Sequence, residues 1–538
     1  MYVYSNASFT SLNPAYVTFT CQQELRDSSL ALAPNVQCIS LTLPSLLLLL
    51  HSTFYSRLTS WTKRAVASFS AWHFEQASST STSCSRCRSG SDVKSPVFGL
   101  QLAMAEGLGV AYGIERVVEG AAALAKGIYH PTLPLKATLT PIEAVGVPLA
   151  QHTVSVVKGR AYCFGGKTQG GELADNDMHV VILPSSGVES ADYTRIQASA
   201  EAPPRRSGHS AAVVGDRVLI FGGCGEDGQP VEEQGKMWVF DTVSNKWSSI
   251  EPAESDAARP SARKLHATVA SEHPQPVQHR TDEGSLPQQP PDPASIVPEP
   301  PSPDTYGTLI VHGGQDKSGA PLNDLWCFDI STRTWTELPQ PPTPSSQPSL
   351  ALVGRRLYTF ANGQTSYLDL TQSSYDDRGG AGELGLAPLG PWTSLPDPST
   401  ADHSHPGDRS GGSLVHVTTG QGRHYLIMMG GQSASGEVLD DIWALQLKPE
   451  GMTAASFKDA ARQAIKKDTG EAEWEEVKYH DSEGVMIQEG QKGRGLGGRR
   501  HFAAAKGSEV DGASVVIWGG TDSSGKVLGD GLMVTVER

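Results

Sequence analysis

The stretch Arg217-Val-Leu-Ile-Phe-Gly-Gly223, followed by Lys236-Met-Trp-Val-Phe-Asp241 and Trp247, decides the fold. An apolar run enters a double glycine and crosses a polar turn. A second apolar run then ends in Asp, and a lone Trp follows. The same order returns at Thr308-Leu-Ile-Val-His-Gly-Gly314, Asp324-Leu-Trp-Cys-Phe-Asp329 and Trp335, and in both copies five residues separate the Asp from the Trp. A repeat at this period outranks any local reading. Each apolar run is too short for a helix and rich in Val, Ile, Leu and aromatics, so it reads as a buried strand. Gly222-Gly223 lets the chain leave that strand through positive φ and lets another backbone come close. One such sheet cannot bury both faces alone, so neighbours must stack on it.

Working outward, double glycines recur at Gly165-Gly166, Gly222-Gly223, Gly313-Gly314, Gly430-Gly431 and Gly519-Gly520, with a degenerate copy at Asn362-Gly363. His152, His209 and Ser349 each precede the first residue of such a pair by thirteen. His266, Gly412 and His501 are assigned the same phase where hairpins are longer. Each unit therefore reads as a strand around the His, a strand into Gly-Gly, a strand ending in Asp and a strand around the Trp.

These motifs resemble the kelch repeat. The resemblance implies an all-β, six-bladed kelch β-propeller spanning residues 131–538, with four-stranded blades. The chain ends just after the third strand of the sixth blade. Leu135-Lys-Ala-Thr-Leu-Thr140 is a strand without a blade, so residues 135–140 are expected to supply the missing outer strand and hide two edges.

Before the repeats, residues 104–130 read as an amphipathic helix: Ile114, Val117, Val118, Ala121, Leu124, Ala125 and Ile128 form one stripe, and Pro131 stops it. Two readings stay open for it, a helix packed on the propeller and a membrane-surface or partner helix. Residues 1–103 show no defensible period, and 76–93 are nearly all Ser, Thr, Gly, Cys and Arg, so the segment is expected to be a disordered or dispensable tail. Translation from Met104 would fit that reading. Leu46–Leu50 is too short to span a bilayer.

The formal charge is −15. Residues 1–103 carry +3 and the remainder −18. An acidic body argues against nucleic-acid binding, which needs phosphate neutralisation. Seven Cys without a repeated spacing imply no disulfide framework. Cys163, Cys224 and Cys327 read as thiols in or beside propeller strands, and Cys84-Ser-Arg-Cys87 as an incidental pair rather than a zinc site. A cytoplasmic location is expected.

Three insertions interrupt the blades: Pro-rich 271–304, Gly-rich and acidic 371–389, and 449–470. The last contains a short helix on which Phe457, Ala460, Ala461, Ala464 and Ile465 share a face. Because successive loops of an antiparallel blade alternate between two faces, all three should emerge on one face.

The opposite face should carry basic blade entries: Pro204-Arg205-Arg206-Ser-Gly-His209, Arg263-Lys-Leu-His266, Asp408-Arg409 and Arg499-Arg500-His501. Arg206, His209, Arg263, His266, Arg409, Arg500 and His501 are the candidate ligand-binding set, able to focus an anion near the channel mouth. They could equally join blades by bonding neighbouring carbonyls and Asp. Gly165, Gly166, Gly222, Gly223, Gly313, Gly314, Gly430, Gly431, Gly519, Gly520, Trp247 and Trp335 are the structural repeat positions.

Some kelch propellers are enzymes. Nitrile-specifier and thiocyanate-forming proteins carry Glu-x3-Asp-x3-His for ferrous iron. Here Glu437, Asp441 and Leu445 lack the His, while in Glu172, Asp175 and His179 the Glu stands one residue too close. The paired Tyr and His copper site of galactose oxidase has no counterpart. No catalytic residue, metal or cofactor is expected. The resemblance implies a non-catalytic scaffold that binds a protein partner, as monomer or unknown oligomer and without a membrane. The alternative is a small-molecule binder or metal-assisted enzyme, nitrile-specifier-like or mutarotase-like, at the Arg/His mouth.

Overall fold

The computed structural model describes residues 7–9, 16–21, 40–42 and 128–129, and residues 131–538 except 143–145, 185–191, 275–305, 373–385, 397–404, 421, 450, 452, 481–495, 508–512 and 538. Two units divide at residue 130. In the first, Ala7–Phe9, Tyr16–Cys21 and Ser40–Thr42 pair as an antiparallel sheet. The Cys84/Cys87 pair, Leu46–Leu50 and nearly all of the expected helix lie outside the described residues.

The second unit is a ring of six sheets, antiparallel except for one strand added in parallel to the sixth. The first four strands, Thr153–Val157, Arg160–Phe164, Met178–Ile182 and Tyr193–Ile196, make blade one. Blades two and three follow from Ser210–Val214 to Lys246–Ile250 and from Ala267–Ser271 to Thr334–Leu338. Blades four and five start at Ser349–Val353 and Ser413–Thr419, and blade six at Ala503–Lys506. The innermost strands touch in cyclic order, the strand at Ala503–Lys506 meeting that at Thr153–Val157. The ring is therefore closed.

Why these strands stack is visible in their burial. The second and third strands of blade three, TLIVH and LWCFD, are buried at every position. A sheet covered on both faces reads as a continuous apolar run rather than an alternating one. Apolar clusters accordingly lie between blades: Leu219, Phe221 and Val239 of blade two pack with Leu309, Val311 and Phe328 of blade three. An outer-strand Trp wedges three of the junctions. Trp247 meets Phe164 at 5.0 Å, and Trp335 meets Phe221 at 5.2 Å. Trp474 does the same against Phe360 of blade four at 5.8 Å, after an insertion that hid its phase.

Blade six takes its outer strand from before blade one. Lys136–Ile142 runs antiparallel to Gly531–Glu537, from Gly531↔Ile142 to Glu537↔Lys136. Lys478–His480, continuing from the outer strand of blade five, adds in parallel on the far side of that strand. Blade four is the irregular one. Its outer strand is split into Leu386–Pro388 and Thr393–Ser394, and a tight Ala361–Gln364 turn replaces the Gly-Gly exit.

Loops between strands one and two and between strands three and four share one face, here the insertion face. The other, the glycine face, carries the Gly-Gly turns and blade entries. On the insertion face the helix Ala454–Ala464 starts on a reciprocal Thr453/Ser456 capping box. Its orientation corrects the sequence expectation. Phe457, Ala460 and Ala464 are exposed, whereas Ala455, Lys458, Asp459, Ala461 and Arg462 are buried. The reason is beneath it: Asp459 accepts from Arg462 at 2.7 Å and from Arg423 of blade five at 2.6 Å. That pairing outweighs burial of the Phe457 stripe. No helix among the described residues is long and apolar enough to cross a membrane.

Candidate functional site

The residue before each innermost strand is His152, His209, His266, Pro348, Gly412 or Phe502. This corrects two phases, Ser349 and His501, each by one position. In blade four Phe360 pairs with Ser349 as Phe164 pairs with Thr153, so Ala361 rather than Asn362 stands where Gly165 stands. In blade six Trp518 pairs with Ala503, which puts Phe502 at the phase.

The histidines tie blades together. His209 Nε2 lies 3.0 Å from Thr153 Oγ1 of blade one, and His266 Nε2 lies 2.7 Å from Ser210 Oγ of blade two. Their rings meet Phe164 and Phe221 edge-on. Burial pushes the His152 and His266 pKa down to about 3 and holds His209 well below its usual range. All three are neutral near pH 7 and add no charge to the mouth. In blade six Ala503 stands at the register position of Thr153 and offers no hydroxyl, and both His152 ring nitrogens lack a partner.

The arginines are committed within their own blades. Arg206, fully buried, donates to Glu233 through both terminal nitrogens, at 2.7 and 2.9 Å, and to Gly222 O at 2.9 Å. Arg263 grips Asp324 at 2.7 and 2.7 Å and Gly313 O at 3.1 Å. Arg409 grips Asp441 at 2.7 and 2.9 Å and Gly430 O at 3.1 Å. In blade six this role falls to Arg499, bonded to Asp530 at 3.0 Å and Gly519 O at 3.3 Å. Arg500 instead donates to Gln432 at 2.5 Å, and His501 serves through its backbone. An Arg three residues before the phase residue is the rule that separates Arg499 from Arg500. Burial alone would raise the Asp324 carboxyl, but the bonded Arg263 guanidinium holds it below the usual carboxylate range.

Glu233, Asp324, Asp441 and Asp530 are the partners that sequence reasoning missed. A Trp indole also donates to three of them: Trp238 to Glu233, Trp326 to Asp324 and Trp443 to Asp441. Their signal was a recurring acid at or just before the third strand. Asp441, one of the near-matches to an iron ligand set, is thus bonded to Arg409 and Trp443. His179, from the other set, has its ring nitrogens 2.8 Å from Tyr193 OH and 3.2 Å from Asp175 Oδ1. No group of three or more His, Cys, Asp or Glu able to hold a metal occurs among the described residues.

The double glycines fit these junctions. A Cβ on Gly165 would lie 2.6 Å from Arg206 O, and one on Gly166 would lie 2.7 Å from His152 Cβ. The second glycine's N–H then reaches the next blade: Gly166 bonds Arg206 O, Gly223 bonds Arg263 O and Gly431 bonds Arg499 O, each at 2.9 Å. Cys163, Cys224 and Cys327 are buried free thiols, and burial pushes those of Cys163 and Cys327 up to about 12.

Residues 138–275 match the family model for the KLHDC2/KLHL20/DRC7 Kelch-repeats domain, and residues 305–342 match the Kelch motif. The chain is a kelch-repeat β-propeller protein. An F-box/kelch-repeat protein of Arabidopsis thaliana is 22% identical to this kelch propeller over 57% of the chain and 58% of its own length. Tip elongation aberrant protein 3 of Schizosaccharomyces pombe is 27% identical over 35% of the chain and 15% of its own length. The chain thus spans less than two thirds of these relatives. The solved structure of YjhT aligns at TM-score 0.40 and 14% identity, covering 73% of this chain and 98% of its own.

Proposed function

We propose that this kelch propeller is a non-catalytic scaffold of the cytoplasm that binds a protein partner on its insertion face. The observation that carries the reading is the distribution of exposed apolar side chains. Among the described residues the large exposed hydrophobics are Val243, Leu389 and Phe457. Val243 is in the turn between the third and fourth strands of blade two. Leu389 follows the insertion of blade four, and Phe457 is on the inserted helix of blade five. Val243 and Phe457 thus belong to loops of the insertion face, and Leu389 sits between the two halves of the blade-four outer strand. Apolar side chains in such positions suit a partner surface. The glycine face supports the same choice, because Arg206, Arg263 and Arg409 already have carboxylate partners and have little left to offer a ligand.

The test is cross-linking mass spectrometry on the full chain in native extract. It compares the unmodified protein with the triple variant Val243→Asp, Leu389→Asp, Phe457→Asp. A partner cross-linked to the insertion face and lost in the triple variant is the expected result. A partner held through the glycine face, or retained by the triple variant, rejects the reading.

A further inference from the structure

We propose that His416, Thr418 and His424 of blade five hold a divalent transition cation, of the copper or zinc class that imidazole prefers, at the insertion-face end of the innermost hairpin. In this hairpin Ser413–Thr419 pairs with the next strand over seven residues, whereas the matching hairpins of blades one to four pair over five. The extra length carries Thr418 and His424, which stand directly opposite each other across the two strands. His416 lies two residues before Thr418 and so on the same face of the sheet. All three are half-buried.

The three side chains converge on one point. His416 Nε2 lies 3.0 Å from His424 Nδ1, and Thr418 Oγ1 lies 3.1 Å from His424 Nδ1 and 3.4 Å from His416 Nε2. Ligand atoms about 2.0–2.1 Å from a common ion lie roughly 2.9 Å apart at a right angle and roughly 3.3 Å apart at the tetrahedral angle. Two nitrogens and an oxygen thus already have the spacing of one face of a coordination sphere. Hydrogen bonds do not account for the triangle. An imidazole nitrogen carries either a hydrogen or a lone pair, never both, so no tautomer makes three separate hydrogen bonds among these atoms. A cation takes a lone pair from each of them at once.

The fold itself does not require a histidine here. Counted from the first residue of the innermost strand, His416 stands where blades one to four carry Val156, Val213, Ala270 and Leu352. Blade six carries Lys506 at that place, and its ammonium acts on His416 and opposes a cation. Two nitrogens and no carboxylate suit copper or zinc, not magnesium or calcium, which take oxygen ligands. The third donor is a hydroxyl, so the site stands apart from groups of three or more His, Cys, Asp or Glu, of which the described residues hold none. The inference does not rest on the scaffold reading, since a bound ion neither requires nor excludes a protein partner.

The experiment is titration calorimetry of the chelator-stripped full chain with copper(II), zinc(II) and magnesium(II) chlorides, with electron paramagnetic resonance of the copper-loaded protein. Saturable copper binding is expected, with zinc weaker and magnesium absent. The copper spectrum should carry the splitting of two imidazole nitrogens. His416→Val installs the side chain of blades one and two and should weaken copper binding by more than about tenfold, the least that loss even of a group behind a ligand costs. His424→Gln should do the same and leave one imidazole in the spectrum. Lys506→Gln should tighten binding severalfold, and His405→Gln, outside the hairpin, should change nothing. Melting curves without metal identify any variant that fails to fold. No saturable copper site, fewer than two imidazoles in the spectrum of the unmodified chain, or unchanged copper affinity in a folded His416→Val or His424→Gln variant overturns the proposal.

Discussion

The backbone N–H of Gln151 donates to the carbonyl of His501 at 2.9 Å, joining the first blade to the sixth. It belongs to a belt on the glycine face. Gly208 donates to Gln151 O at 2.8 Å, Leu265 to Gly208 O at 2.7 Å and His501 to Gly411 O at 2.9 Å. Every member has positive φ: Gln151 54°, Gly208 62°, Leu265 57°, Gly411 65° and His501 55°. Blades five, six, one, two and three are thus linked in order by left-handed residues whose N–H and C=O point around the ring.

The belt makes His501 a backbone position. His501→Gly removes the imidazole but suits the φ, so urea unfolding should move by no more than about 1 kcal/mol. His501→Pro removes the N–H and cannot reach φ of 55°, so it should cost about 3 kcal/mol or more. Equal losses in the two variants would show that the imidazole, not the belt, carries the stability.

Gly222→Ala tests the junction between blades two and three. Gly222 has φ +61°, and an added Cβ would lie 2.8 Å from the His266 ring and 2.9 Å from Arg263 O. The left-handed backbone alone costs about 1–3 kcal/mol for a residue with a Cβ, and the blade spacing must also open. A substantial drop in unfolding midpoint is expected. Gly228→Ala is the control, with φ +70° but nothing within 4 Å of its Cβ, and it should lose only the backbone part. Identical losses would leave no room for the junction contact.

The six-bladed ring was legible because buried strands, glycine exits and Asp-to-Trp spacing repeat at fixed separations. Trp247 and Trp335 could be placed from that spacing alone, whereas Trp474 could not, because twenty-odd residues of insertion separate it from Asp441. The candidate site was legible only as positions. Residue type suggested that Arg206, Arg263 and Arg409 face a ligand. Their carboxylate partners lie 27 to 61 residues away in the chain, at separations that differ between blades. Such pairings depend on hairpin lengths, which the local pattern does not set. The inward turn of Lys458 and Asp459 was hidden for the same reason, since their partner Arg423 comes from another element.

Ala503→Ser follows from the missing hydroxyl opposite His152. Thr153 and Ser210 occupy the equivalent positions beneath His209 and His266. A serine at 503 should bond His152 and raise stability by about 1 kcal/mol, the usual net worth of such a bond. Urea midpoints on Ala503→Ser, with Ala503→Cys as a volume control, measure it. A loss in the serine variant would mean that the hydroxyl is buried unpaired.

Arg499 and Arg500 are adjacent in sequence and differ in role. Arg499→Ala strips a buried guanidinium from Asp530, Gly519 O and Leu496 O. Asp530 is half exposed, so water can take over part of the loss, and about 2–3 kcal/mol is expected. Arg500→Ala loses a bond to Gln432 and should cost about 1 kcal/mol. Thermal melts of both variants rank them, and the reverse order would return the buried role to Arg500.

Acid should unfold this propeller through its buried histidines. Burial lowers the folded pKa of His152 and His266 to about 3 and of His312 to about 4, from an ordinary 6.5. Between the folded and unfolded values the unfolded chain binds protons that the folded one refuses, so stability rises with pH across that window. The contribution is complete above about pH 6.5 and is lost as pH falls toward the folded value. Going from pH 7 to pH 5 should cost about 2 kcal/mol per such histidine. His152→Phe isolates one of them, and Phe502 shows that the equivalent position accepts the ring. Urea unfolding at pH 7 and pH 5 should show a smaller acid loss in His152→Phe than in the unmodified chain, by about 2 kcal/mol. Parallel losses in both proteins would mean that His152 is protonated in the folded ring.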